Sequence, residues 1–281
     1  MSSILPQLLT DLEAEGKSLD DLVAGIDDAQ WALMTPAEPW TVADTIGHLL
    51  WTDRVSVVAA TDPDGFQAFV ADHFSNLGDD PITALAQQAA AVPHDELLAA
   101  WRQERTALAD ALRAVPDGTK RPWFGPPMSP ASMATARLME TWAHGQDVAD
   151  TLGVERTPTL RLRHIAHLAN RTRGFAYAAH DLDPPTAEVR VELDAPDGTT
   201  WTFGSDDAEQ TVTGSALDFC LLAVQRVHRD DTDLVANGPD ADQWLDVIQA
   251  FAGPPGEKRP PKGAGHGATE AAADGATGVA T

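Results

Sequence analysis

The sequence predicts an α+β protein in which an antiparallel four-helix bundle precedes a smaller α+β domain. Three observations carry this. Four long stretches in the first half repeat apolar side chains every three or four positions, a short segment beyond Thr157-Pro158 alternates with period two, and the chain beyond Gly253 holds almost no large apolar residue. The expected divisions are residues 1–156 for the bundle, 157–253 for the α+β domain and 254–281 for a disordered tail.

The first helix is read over residues 2–28, where Ile4, Leu8, Leu9, Leu12, Leu19, Leu22 and Val23 share a face, with Gly16 as the expected point of irregularity. The second opens at Thr41, a hydroxyl N-cap with Asp44 three residues on in a capping-box arrangement. It runs through Ile46, Leu49, Leu50 and Val57 and ends near Thr61, ahead of Asp62-Pro63-Asp64-Gly65. The third rests on Leu97, Leu98, Trp101, Leu108 and Leu112 and is stopped by Pro116-Asp117-Gly118. Ser129 and Pro130 form an N-cap and N1 pair for the fourth, which passes Met133, Leu138 and Trp142 to about Leu152, with Gly153 ending it. Short connections make such helices antiparallel neighbours. The one long excursion, residues 62–93, reads as a loop and is the expected seat of substrate variation.

Beyond the bundle, residues 160–180 read as helical, and Glu188 to Asp194 alternates as a half-exposed strand. Asp197-Gly198 turns that strand into Thr200-Trp201-Thr202-Phe203, a hairpin. Helices over 215–228 and 240–251 complete the domain.

Charge bounds the partners. At 281 residues with a net charge of −24 and four lysines, the chain repels phosphates, which excludes nucleic acid and anionic membrane surfaces and leaves a small molecule as the expected partner. No apolar run approaches the roughly 18 residues of a membrane span, and no basic-then-apolar leader opens the sequence, so a soluble cytoplasmic monomer or homodimer is expected. The single cysteine, Cys220, excludes an intrachain disulfide and any multi-thiolate metal site. It lies in an apolar helical stretch and reads as a small buried hydrophobe. Any metal must therefore sit on histidine and carboxylate.

On the fourth helix Glu140 and His144 are four residues apart and project from one face, a chelating arrangement, while His48 on the second helix could supply a third ligand. Spacing alone leaves two readings open, since such a pair also occurs as a surface ion pair and a lone helical histidine is often simply hydrogen-bonded. The His-Glu-x-x-His string is absent. His73, His94, His164, His167, His180 and His266 have no evident ligand partner and read as solvated or hydrogen-bonded, and Trp51, Trp123, Phe124 and Trp142 read as core.

Trp40-Thr41-Val42-Ala43-Asp44-Thr45-Ile46-Gly47-His48-Leu49 and Arg137-Leu138-Met139-Glu140-Thr141-Trp142-Ala143-His144-Gly145-Gln146-Asp147 resemble the two metal-site helices of the mycothiol-dependent maleylpyruvate isomerase-like family of the DinB superfamily. The resemblance implies a DinB-like bundle with a divalent ion, most often zinc, held by His48, Glu140 and His144. It further implies a low-molecular-weight thiol, mycothiol, as cosubstrate. Members place an arginine of the second domain at the mouth of the site to hold a carboxylate, and Arg226 matches that place by following the late apolar helix. Pro122 to Ser129 and Gln225 to Thr232 are similar to an actinobacterial subgroup described only as metal-binding, which names no substrate.

Two histidines and one acid leave a coordination position for water or substrate, the composition of a catalytic zinc site. Asp44, one turn before His48, and Asp147, three residues after His144, are candidates to orient the imidazoles. The expected function is a metal-dependent enzyme that activates the thiol for isomerisation of, or transfer to, an electrophilic small molecule. Two rivals use the same ligands: a hydrolase with metal-bound hydroxide, and a noncatalytic protein that binds a metal or metabolite.

Overall fold

The structure is a computed structural model that describes residues 4–263 except 76, 252 and 257. His266 and residues 264–281 of the expected tail lie outside the described residues. Helix α1 (Leu5–Val23) and the single turn α2 (Asp28–Trp31) lead into α3 (Val42–Thr61). The excursion carries α4 (Phe66–Phe74) and α5 (Pro81–Ala90), and α6 (His94–Ala114) and α7 (Pro130–Leu152) complete the bundle of α1, α3, α6 and α7.

The caps stand as the sequence reads them. Thr41 and Asp44 close a reciprocal capping box on α3, the Ser129 hydroxyl accepts from the Ser132 N–H at the head of α7, and Gly153 ends α7 with a φ of 67°, in the left-handed region that favours glycine. Helix α1 departs from expectation by running unbroken through Gly16. The Arg105 side chain crosses there, 3.2 Å from where a Cβ would stand, and its Nη1 donates to the Gly16 carbonyl at 2.5 Å. Glycine serves close approach at this position.

The excursion is likewise helical rather than a loop. Asp80 caps α5 by accepting from the Thr83 N–H, and α5 presses on α3 so closely that a Cβ on Gly47 would lie 2.3 Å from the Ala86 carbonyl. That contact sits one residue before His48.

Helices α8 (Leu162–Arg171) and α9 (Arg173–Ala179) precede the strands β1 (Val189–Asp194), β2 (Thr200–Phe203) and β3 (Gln210–Ser215), then α10 (Ala216–Ala223), β4 (Val235–Asn237) and α11 (Pro239–Val247). The sheet order is β2-β1-β3-β4. The expected hairpin places Leu193 opposite Trp201, β1 and β3 pair in parallel with Val191 opposite Val212, and β4 pairs antiparallel with β3. Strands β3 and β4 escaped the sequence reading because Gln-Thr-Val-Thr-Gly-Ser has one large apolar residue and β4 spans only three positions. The helix expected to reach residue 228 ends at Ala223, because Gln225 takes a φ of 61° and turns the chain. That turn delivers Arg226 to the bundle.

Val189, Val191, Leu193 and Val212 of the sheet pack with Ile165, Phe219 and Trp244 in a hydrophobic cluster that continues into the bundle through Leu8, Leu108 and Leu138. A second cluster, Leu19, Ile46, Leu49, Leu97, Trp101 and Val148 among its members, fills the rest of the bundle. Each large apolar side chain buried this way contributes about 1.5–3 kcal/mol. Among the described residues no helix is long and apolar enough to cross a membrane.

Candidate metal centre

Helices α3 and α7 face each other across the bundle, joined by a buried ion pair in which Arg137 Nε donates to Asp53 Oδ1 at 2.9 Å. Asp53 lies five residues after His48 and Arg137 three before Glu140, so this pair sets the relative height of the two helices next to the candidate ligands. His48 Nε2 and His144 Nε2 each approach Glu140 Oε2 at 3.4 Å. Among the described residues these three form a group able to hold a metal ion, with one ligand atom from each and all three atoms within 4.8 Å of one another. Both histidines are only 7 % exposed. The structure thus brings together all three sequence-derived candidates.

Asp147 Oδ2 lies 3.2 Å from His144 Nδ1, positioned to accept its proton. A neutral imidazole donating through Nδ1 keeps its Nε2 lone pair for a metal, and that edge of His144 is the one facing Glu140. Asp147 is buried and is gripped by Arg226 through Nε at 3.0 Å and Nη2 at 2.6 Å, while Arg226 Nη1 donates to the Val224 carbonyl at 2.7 Å. Arg226 therefore stands behind His144, on its Nδ1 side. Asp44, the other candidate orienter, does not reach His48. Its Oδ2 accepts from the N–H and hydroxyl of Thr41, and the buried Nδ1 of His48 has no hydrogen-bond partner among the described residues.

The electrostatics follow from burial and neighbours. Burial, joined by the charges of His144 and Arg137, pushes the His48 pKa down to about 4 despite the opposing pull of Glu140, which keeps its ring neutral at pH 7. Burial opposes ionisation of Glu140, but the two imidazoles outweigh it and hold the carboxyl well below the usual range. Burial also opposes a charged His144, yet hydrogen bonds to Asp147 and Glu140 raise its pKa. Asp147 is pulled down to about 2 against its burial by His144 and Arg226.

Trp40 was not singled out by the sequence. Its ring lies 4.6 Å from that of His48 and 5.4 Å from that of His144, and its Nε1–H donates to Thr83 Oγ1 of α5 at 2.9 Å. The available signal was its place immediately before the N-cap of α3. Arg259, whose Nη2 donates to Asp147 Oδ1 at 2.9 Å, was also missed, because it lies where a featureless tail was expected. Trp51, by contrast, is buried against Phe74 and Phe124, as its core reading required. His94 pairs with Asp28 and stacks on Trp31, and His164 pairs with Asp11.

Residues 12–149 match the family described as the mycothiol maleylpyruvate isomerase N-terminal domain. The chain is 54% identical over 254 residues, 89% of its length, to an uncharacterised protein of Mycobacterium tuberculosis strain H37Rv, of which 97% is covered. The same figures hold for the corresponding protein of the CDC 1551 (Oshkosh) strain. Two crystal structures, of a mycothiol-dependent maleylpyruvate isomerase and of its histidine-to-alanine variant, superpose with TM-scores of 0.56 and 0.55. Both cover 85% of this chain and 98% of their own, at 15% sequence identity, a likeness of fold.

Proposed function

Because the chain belongs to the mycothiol-dependent maleylpyruvate isomerase-like family of the DinB superfamily, we propose that it is an enzyme using a divalent metal ion and a low-molecular-weight thiol. The ion, zinc by preference, is held by His48, Glu140 and His144. The thiol, mycothiol or a close analogue, serves to isomerise an electrophilic small molecule or is transferred onto it. The observation that carries the reading is the convergence of three ligand atoms from two facing helices.

A bound ion would supply a concentrated positive charge, able to lower the pKa of a coordinated thiol or to polarise a carbonyl. The chain's own residues do the rest. Two imidazole nitrogens and one carboxylate oxygen leave a coordination position open. Asp147 holds the Nδ1 proton of His144, and Trp40 covers both imidazoles. Cys220 is fully buried, its Sγ directed to the Leu162 carbonyl and its thiol pushed up by burial, so it offers no nucleophile and the reacting sulfur comes from outside. Arg226 is assigned to a substrate carboxylate, for which a planar guanidinium fork is suited. Since the same group grips Asp147, the substrate would compete with that residue for it.

For an isomerisation, the thiolate sulfur adds to a conjugated carbon–carbon double bond and the electron pair moves onto the conjugated carbonyl oxygen. The former double bond rotates, the pair returns, and the carbon–sulfur bond breaks to restore thiolate and alkene. No proton, electron or co-reactant is consumed.

The test is turnover by the zinc-supplied protein on cis-configured conjugated keto acids, maleylpyruvate first, with and without mycothiol. The proposal expects conversion that needs thiol in catalytic amounts only, is abolished in His48→Ala and Glu140→Ala, and shows a KM raised about tenfold in Arg226→Gln. Thiol-independent hydrolysis would replace it with the hydroxide reading, and a ligand that raises Tm without turnover would replace it with a binding protein.

A further inference from the structure

The chain after α11 returns to the metal centre. Gln249 Nε2 donates to the carbonyls of Phe251 at 2.9 Å and Gly253 at 3.0 Å, Lys258 Nζ donates to the Asp246 carbonyl, and the Lys262 N–H donates to Asp231 Oδ2 at 2.7 Å. Pro254-Pro255 and Pro260-Pro261 stiffen the segment on either side of Arg259, so ordering it costs less than ordering a flexible chain. Between these anchors the Arg259 side chain crosses to α7. Nη2 donates to Asp147 Oδ1 at 2.9 Å and Nη1 to Asp150 Oδ2 at 2.5 Å. Asp147 and Asp150 lie one turn apart on one helix face, a spacing that a single guanidinium fork spans.

Asp147 consequently has both oxygens engaged. Oδ2 meets His144 Nδ1 and Arg226 Nη2, while Oδ1 meets Arg226 Nε and Arg259 Nη2. The Arg226 fork engages both oxygens, yet a carboxylate held by that one side chain keeps the freedom to move with it relative to the imidazole. A second guanidinium on Oδ1, itself tied to Asp150, removes that freedom.

We propose that Arg259 is a positioning residue of the metal centre, acting through Asp147 to keep His144 Nε2 directed at the ion. The residues around it, 258–262, are thereby a strap that forms part of the site. This inference rests on the reading of His48, Glu140 and His144 as metal ligands. It requires Arg259 to influence metal affinity without touching the ion, and only while Asp147 can relay the effect.

The experiment is a double-mutant cycle on zinc affinity, measured on the full chain by competition with a chromophoric chelator. Arg259→Gln should weaken zinc binding about tenfold in the wild-type background, the lower end of what losing an outer partner of a ligand does, and less than twofold when Asp147→Asn is already present. Arg259→Lys, which keeps the charge without the fork, should recover part of the loss. Asp150→Asn, which leaves the imidazole's own partner in place, should weaken zinc about threefold through the same guanidinium, and it serves in the cycle should Asp147→Asn fail to fold. Equal losses in both backgrounds, or no loss from Arg259→Gln in a protein that binds zinc, would overturn the assignment of Arg259 alone. A wild-type chain that binds no zinc would overturn the metal reading, and this inference with it.

Discussion

Trp40 shows how much of the centre depends on side chains that are neither ligands nor their hydrogen-bond partners. Its ring packs against both imidazoles, held by one hydrogen bond to Thr83, and an apolar neighbour of this kind tunes the ligands it touches. Trp40→Ala should weaken zinc binding about tenfold while Trp40→Phe stays within about threefold of wild type, both read by chelator competition. Equal affinities for wild type and Trp40→Ala would remove the residue from the site. At this scale the candidate ligands and the neighbouring Asp147 were legible, whereas Trp40 and Arg259 were not. Glu140 and His144 lie four apart on a helix whose N-cap, Ser129, can be read directly, and His48 follows an equally legible cap at Thr41. Trp40 and Arg259 reach the site only through tertiary contacts with α5 and with the returning C-terminal strap, and no local pattern encodes either contact.

The helices packed against the ligand-bearing α3 and α7 are fixed by buried charge as well as by apolar packing. Asp20 of α1 accepts from Arg102 and Arg105 of α6, each through Nη2 at 2.6 Å, and these bonds lower its pKa against the opposing effect of burial. A folded-state pKa below the unfolded one contributes stability that is fully present above about pH 4 and is lost as pH falls through the folded value. Asp20→Asn should therefore cost about 2 kcal/mol at pH 7, less than a fully buried pair because Arg102 is nearly half exposed. The deficit should shrink between pH 4 and pH 2.5. Urea unfolding at both ends of that range checks the sign, and a gap between wild type and variant that stays constant with pH would refute it. The main bundle helices and the hairpin were legible from periodicity, caps and the Asp197-Gly198 turn. Helix α5 was hidden because Ala-rich Pro81–Ala90 carries few large apolar residues, yet its close contact at Gly47 positions the turn that bears His48.

The molecule joins two architectures through one apolar cluster, which runs from Leu8 and Leu138 in the bundle to Val191 and Trp244 beside the sheet. Glu15 of α1, buried, is clamped across the junction by Arg156 and by Arg161 Nε at 2.6 Å. The division proposed at residue 157 is thus one of architecture, and calorimetry should show one cooperative transition with equal van't Hoff and calorimetric enthalpies. Two resolved peaks would mean that the units unfold separately. In a chain of net charge −24, two guanidiniums, those of Arg226 and Arg259, meet at the buried carboxylate of Asp147 beside the centre. The measurement that bears most directly on this reading is the metal content of the untagged protein by inductively coupled plasma mass spectrometry, beside His48→Ala, Glu140→Ala and His144→Ala. The expected result is about one zinc per chain in the wild type and loss of it in all three variants, as befits a site that needs every ligand; metal-free wild-type protein, or variants that keep the metal, would contradict it.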